Sequence, residues 1–182
     1  MLAVAGPTLA SAFIQAGLID EYRLVVHPVM LGHGKPFFPP IETALRLDPN
    51  HADTYAWRTD LLVMEGRPLE AIESAKQALR LNPYPLPGYY WAKGEAEYAA
   101  RQYENAVATL RHAATYGTPS RSILAAALAQ LGRLEEARIE GRLFMADYPD
   151  FRIESFLDTQ PFRHRADREH FAEGYRKAAL PE

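Results

Sequence analysis

The 182-residue chain has no cysteine. Disulfides, thiolate nucleophiles and cysteine-based metal sites are excluded, so packing alone must hold its core. No charge of one sign dominates: 20 Lys and Arg stand against 23 Asp and Glu, for a net charge of −3. The basic footprint of a nucleic-acid binder is missing, and no nucleic-acid partner is expected. No apolar run reaches the roughly 18 residues of a membrane span, so no membrane partner is expected either. The opening "MLAVAGPTLASAFIQAG" is apolar and contains Ala10-Ser11-Ala12, but its first basic residue is Arg23 and Gly6-Pro7 interrupts it. A secretory leader has a basic start and an unbroken apolar centre, so the expected location is cytoplasmic.

Motifs of common chemistries are also lacking. There is no H-E-x-x-H and no G-x-S-x-G. His27, His33, His51, His112, His164 and His170 are scattered; His164 and His170, six apart, fall on different faces of a helix, so no metal site is expected. "RHRADREH", from Arg163 to His170, mixes charge signs and reads as a solvated face.

What is present is a regular beat. Ala71, Ala106 and Ala137 are 35 and 31 residues apart. Pro49 and Pro83 are 34 apart, and Pro149 follows 66 later. Gly66-Arg67 and Gly132-Arg133 are also 66 apart, each leading into a Glu-Ala pair. A period near 34 with a small residue in a second helix and a closing proline marks a two-helix repeat. The expected fold is mainly α: an antiparallel helix-pair solenoid of about three repeats over residues 41–149, with C-terminal capping helices at 150–182 and a small βαβ fragment at 1–40.

The first full repeat runs from Ala52 to about Pro83, with Tyr55, Leu61 and Leu62 in its first helix and Ala71, Ala75, Ala78 and Leu79 in its second. The next begins near Pro87 and carries Tyr90, Gly94, Tyr98, Tyr103, Ala106, Leu110 and Ala113. The third carries Leu124, Leu128, Gly132, Leu134 and Ala137 and closes at Pro149. Small residues belong where two helices cross closely. These features resemble the tetratricopeptide repeat (TPR) family. Relative to that pattern, Thr59 and Ala125 replace the first-helix glycine in repeats one and three, and Phe144 stands where alanine is usual.

Stacked helix pairs leave a concave groove lined by the first helices. The TPR resemblance puts Asp53, Asp60, Trp91, Glu95, Tyr98 and Ser122 in it. Family members that clamp a carboxylate use Lys, Arg and Asn there; acids and aromatics imply no such clamp and an apolar or basic peptide or protein segment instead. Trp91 and Tyr98 are either the anchors of that segment or are packed against a neighbouring helix. A homo-oligomer is a further possible partnership.

The tail "DFRIESFLDTQPF" and "RHRADREHFAEGYRKAALPE" reads as two helices, with Phe171 and Tyr175 at i, i+4. Such a tail can supply the polar cap that a terminal repeat needs. With "SILAAALAQLGRLEEAR" it is similar to the end of bacterial class III adenylate/guanylate cyclases that carry TPR repeats after the catalytic domain. The catalytic domain is absent, so the resemblance implies a regulatory or docking tail without cyclase activity.

At the N-terminus, Leu2–Ala5 reads as a buried strand, Pro7 as the first turn of a helix with Leu9, Phe13 and Ala16 on one face, and "EYRLVVHPVMLG" as a second strand. Such a unit points backbone N–H groups at any anion near Gly6, or simply turns between packed elements. "GHGKP" is not a P-loop, because Pro36 stands where Ser or Thr would bind magnesium. The stretch "AGPTLASAFIQAGLIDEYRLVVHPVMLGHGKPFF" resembles the later part of the dihydrofolate-reductase-like domain, as in the reductase half of bacterial riboflavin-biosynthesis deaminase-reductases. The resemblance implies NADP contacts at Gly6 and Thr8, but the family's Gly-Gly is Ala5-Gly6 here, and its earlier and closing strands are missing. No cofactor is therefore expected, NADP being the alternative if this fragment is a working, though incomplete, reductase.

Overall fold

The computed structural model describes residues 41, 45, 46, 48–112, 115 and 119–182. The chain divides into two compact units, Met1–Pro49 and Asn50–Glu182. In the first, residues 41, 45 and 46 are helical. The expected βαβ fragment, with Gly6 and Thr8, lies outside the described residues.

The second unit is built from helices, with no strand among the described residues. In order they are α1 (Ala52–Met64), α2 (Pro68–Leu81), α3 (Pro87–Ala99), α4 (Tyr103–Leu110), α5 (Ser120–Gln130), α6 (Leu134–Asp147), α7 (Ile153–Asp158) and α8 (Arg165–Lys177). Local chemistry sets the starts. His51 Nδ1 accepts the Thr54 N–H ahead of α1. Pro68 and Pro87 open α2 and α3, where a missing N–H costs nothing.

The three turns inside the helix pairs share one design. Gly66, Arg101 and Gly132 have φ of 74°, 61° and 74°. In each case the next residue's N–H reaches back five positions: Arg67 to Leu62 O at 2.8 Å, Gln102 to Glu97 O and Arg133 to Leu128 O at 2.9 Å. This satisfies a carbonyl that the helix end would otherwise leave bare. Gly66, Arg101 and Gly132 each stand five residues before Ala71, Ala106 and Ala137, so turns and alanines keep one beat.

Each first helix packs on its successor, α1 on α2, α3 on α4 and α5 on α6, and successive pairs stack through α2 with α3 and α4 with α5. The first helices also touch one another, α1 with α3 and α3 with α5. Ala71, Ala106 and Ala137 are fully buried at these crossings. At the glycine position of the repeat, a β-carbon on Gly94 would lie 2.4 Å from Leu110 Cδ2, so Leu110 fills the space that the glycine leaves. Thr59 solves the same position differently: it is fully buried and its hydroxyl donates to Tyr55 O at 2.9 Å. Ala125, the third equivalent, is fully buried too.

Two core expectations need correction. Leu61 is 51% exposed, because the helix turns Leu62 and Val63 inward instead. Leu134, at the start of α6, is likewise exposed. Phe144 is buried; it stacks on Tyr148 and meets Phe151 edge-on, each with ring centroids 4.9 Å away.

The tail is more than a polar covering. α8 packs on α5 and reaches α3, with α7 beside it. Phe171, Ala172, Tyr175, Ala178 and Leu180 belong to the main apolar core. Its outer side is charged: Arg176 pairs with Glu154, Glu169 and Glu182, and Arg168 with Glu154 and Asp158. His170, read above as part of a solvated face, is buried.

Candidate functional site

The first helices present repeat-equivalent positions along one side. Asp60 on α1 and Glu95 on α3 are 35 apart, and Ala126 on α5 continues the row 31 further on. The two acids are neighbours. Burial, and then the Asp60 charge, push the Glu95 carboxyl up to about 8. Burial pushes Asp60 up to about 6. Glu95 is half-buried, whereas Asp60 remains exposed. Water reaches Asp60 and keeps its shift the smaller of the two. Among the described residues neither carboxylate is paired with Lys or Arg. Two adjacent, uncompensated acids favour sharing a proton or taking a cationic guest.

Trp91 is half-buried against the main core, and its Nε1–H has no hydrogen-bond partner among the described residues. Trp57, three residues before Asp60 and so on its face of α1, is 56% exposed. Asp53 accepts a hydrogen bond from the Tyr89 hydroxyl, tying α1 to α3, and is half-buried. Ser122 is buried; its hydroxyl donates to Pro119 O at 3.0 Å, and the Tyr175 hydroxyl faces it.

Tyr98 is placed differently from the expectation of a groove anchor. It is fully buried, because α8 covers it. Its hydroxyl donates to His170 O at 3.1 Å, its ring stacks on the His170 imidazole at 4.7 Å, and Phe171 meets it edge-on at 4.9 Å. Burial accordingly raises its phenol above the ordinary value. Of the expected groove residues, Asp60 is exposed, Asp53, Trp91 and Glu95 are half-buried, and Tyr98 and Ser122 are buried, Tyr98 beneath α8.

Several residues here escaped the sequence reading. The Tyr103 hydroxyl and His170 Nε2 lie 3.0 Å apart, enclosing the imidazole. Lys177 Nζ donates to Gln130 Oε1 at 2.9 Å, and Arg163 N–H to Met64 O at 2.8 Å. Gly174 comes against Tyr98 and Ala126. The available signal was a small residue between Phe171 and Tyr175 in an apolar stripe, which marks close approach of two helices. Glu97 is also buried, with Lys93 Nζ 2.5 Å from its Oε1. No group of three or more potential metal ligands occurs among the described residues, and no helix among them is long and apolar enough to cross a membrane.

Comparison with known proteins separates the two ends of the chain. The sequence model of the RibD C-terminal domain matches residues 1–61. The uncharacterised protein YyaP of Bacillus subtilis (strain 168) is 41% identical over 51 residues, which are 28% of this chain and 27% of that protein. The chain therefore spans about a quarter of the length of this relative. The crystal structure of MamA is similar with a TM-score of 0.55 at 20% identity, over 76% of this chain and 82% of that one. At that identity the likeness is one of fold: a TPR-like helical solenoid.

Proposed function

We propose that this chain is a protein-interaction module that docks a partner segment on the open part of its groove. The segment carries a Lys or Arg flanked by apolar residues. The carrying observation is the Asp60–Glu95 pair, two neighbouring carboxylates with no cationic partner among the described residues. A guest ammonium or guanidinium relieves their repulsion and gains charge-assisted hydrogen bonds from both. Trp91 and Trp57 offer aromatic faces for the guest's aliphatic stem or its charge. Asp53 and Ser122 support the walls, through Tyr89 and Tyr175. The same acids repel a terminal carboxylate. The cyclase resemblance extends this reading to a regulatory tail in a cytoplasmic protein, and self-association is compatible with it.

The two tryptophans, Trp57 and Trp91, give the readout, since no other tryptophan is present. Twelve-residue peptides with a central Lys or Arg between Leu and Phe are titrated against fluorescence, with central-Glu peptides as controls. Saturable binding of the basic set is expected, weakened at least tenfold by Asp60→Asn with Glu95→Gln while helicity is kept. Binding that ignores the double substitution refutes the reading.

The RibD C-terminal match supports a second reading for the N-terminal end. In it, residues 1–40 are an incomplete reductase-like fragment that contacts NADP through Gly6 and Thr8. NADPH titration of the chain and of Gly6→Val tests it. Saturable binding lost in the variant supports the reading, and the same response from both chains ends it.

A further inference from the structure

The first helix pair leaves apolar surface bare where the other two pairs bury it. Following the beat of the repeat from Trp57 leads to Ala92 and Ile123, and from Leu61 to Ala96 and Ala127. All four are buried, where α2 stacks on α3 and α4 stacks on α5. Trp57 and Leu61 hold the same positions on α1, yet each keeps more than half of its surface in water. Among the described helices none precedes α1, so none of them stacks on this face. A terminal repeat calls for a polar outer side, and a tryptophan and a leucine in that place mark an interaction surface.

The last pair carries a matching half. α6 stands 66 residues after α2, and Ile72, Ala75 and Leu79 on the apolar side of α2 correspond to Arg138, Gly141 and Met145. The end of α8 reaches one edge of this side, with Ala178 O 3.3 Å from the place of a Gly141 β-carbon. An open cavity of about 550 Å³ lies beside it, lined by Gly141, Met145, Ala146 and Ala178 together with Arg138 and Arg142. Arg138 is paired with Glu135, whereas Arg142 has no ion pair among the described residues. On α1, Trp57, Asp60 and Leu61 fall at i, i+3 and i+4 on one side, and Asp60 has no cationic partner among the described residues. One face thus offers an indole, a leucine and a spare acid, and the other an apolar hollow and a spare guanidinium. They belong to the first and third pairs, so they do not stack within one copy.

We infer that this face of α1 docks in the α6 cavity of a second copy of the chain, head to tail. The contact continues the stacking that joins α2 to α3 and α4 to α5. Trp57 enters the hollow beside Gly141 and Met145, Leu61 is covered, and Arg142 pairs with the neighbour's acid at Asp60. The two faces differ, so the contact is heterologous and adds copies in a row unless its rotation closes a ring. The inference does not rest on the peptide reading, although both use Trp57 and Asp60.

Sedimentation velocity of the full chain, without peptide, is the test. A small contact of this kind is weak, so association is expected to appear between about 10 μM and 1 mM. Leu61→Glu and Arg142→Glu change exposed side chains that have no part in the peptide reading. Each is expected to leave a monomer with unchanged helicity. A charge exchange is more selective. Asp60→Arg and Arg142→Glu chains, each monomeric alone, are expected to associate when mixed in equal amounts, because the mixture brings opposite charges to every contact. A chain that stays monomeric up to about 1 mM leaves the face to another occupant and overturns the inference. Association that survives Leu61→Glu and Arg142→Glu overturns it too, as does a mixture no larger than its parts. Peptide titration is carried out at about 1 μM chain, below the range of association, so a failure of one reading leaves the other standing.

Discussion

The Tyr98 hydroxyl lies 1.9 Å from the point where Gly174 would carry a β-carbon. The two helices approach this closely because one residue has no side chain, and the approach lets the same hydroxyl reach His170 O. Gly174→Ala therefore trades a small gain in helix propensity for overpacking, with a net loss of about 1–2 kcal/mol. Tyr98→Phe alone leaves the His170 carbonyl without its side-chain donor, at about 1 kcal/mol. The double variant is expected to lose less than the two singles together, because the removed hydroxyl is the atom in the way. Urea melts of the four proteins measure the coupling; strict additivity contradicts the contact.

Gly94 and Leu110 make a second complementary pair. Gly94→Ala drives a β-carbon into Leu110 and is expected to destabilise by about 1–3 kcal/mol. Leu110→Ala opens a cavity and costs about 2–5 kcal/mol. Combined, they are expected to recover at least 1 kcal/mol of the summed loss (roughly the worth of refilling a small void). The readout is again the midpoint of chemical unfolding.

The turn at Arg101 breaks the pattern kept by Gly66 and Gly132. A non-glycine residue at φ of 61° bears a penalty that glycine avoids. Arg101→Gly is expected to raise stability by about 1 kcal/mol. Gly132→Ala is expected to lose a similar amount, because space there is open and only the backbone objects. Gly66→Ala is expected to lose more, since its β-carbon would also meet His164 at 2.6 Å and Asp167 at 2.8 Å. Thermal melts that rank the three in another order refute this account.

The response to pH has two opposed parts. Burial, reinforced by Arg101, lowers His170 from 6.5 to about 4, against the opposite pull of Glu173 and Asp167. Between those values the unfolded chain binds a proton that the folded one refuses, so acidification from pH 6.5 to 4 weakens folding. Glu95 acts the other way. Raised from 4.5 to about 8, it holds a proton in the folded state that the unfolded state has released, so stability falls as pH rises from 4.5 to 8. Glu95→Gln is expected to raise stability at pH 8 by on the order of 2 kcal/mol and to change little at pH 4.5. Melting curves at pH 4.5, 6.5 and 8 test it; an equal gain at every pH assigns the effect to packing.

The helix pairs were legible because their determinants are local. Alanines, turn glycines and prolines recur at a fixed interval, and each acts within its own helix or turn. Pro87 announced α3, and Gly94 announced a close crossing. The shape of the site was less legible. The burial of Tyr98 is set by residues 72 positions away, at His170, and no periodicity within α3 reveals them. His170 looked solvated because its immediate neighbours in sequence are charged, yet the helix turns it alone toward Tyr103. Leu61 and Leu62 are adjacent in sequence, and only the packing of α2 decides which faces inward.

The bond from Arg163 to Met64 joins residues 99 positions apart, and α8 follows it in sequence. A chain made from its N-terminus completes all three helix pairs before it can close their groove. At about 5–20 residues per second, residues 150–182 follow the third pair by a few seconds. During that interval Tyr98 is bare on a nascent chain whose stacked pairs already have their partners. Any apolar surface that meets it first competes with a segment not yet made. The order of synthesis thus leaves an aggregation-prone face that only the finished molecule closes.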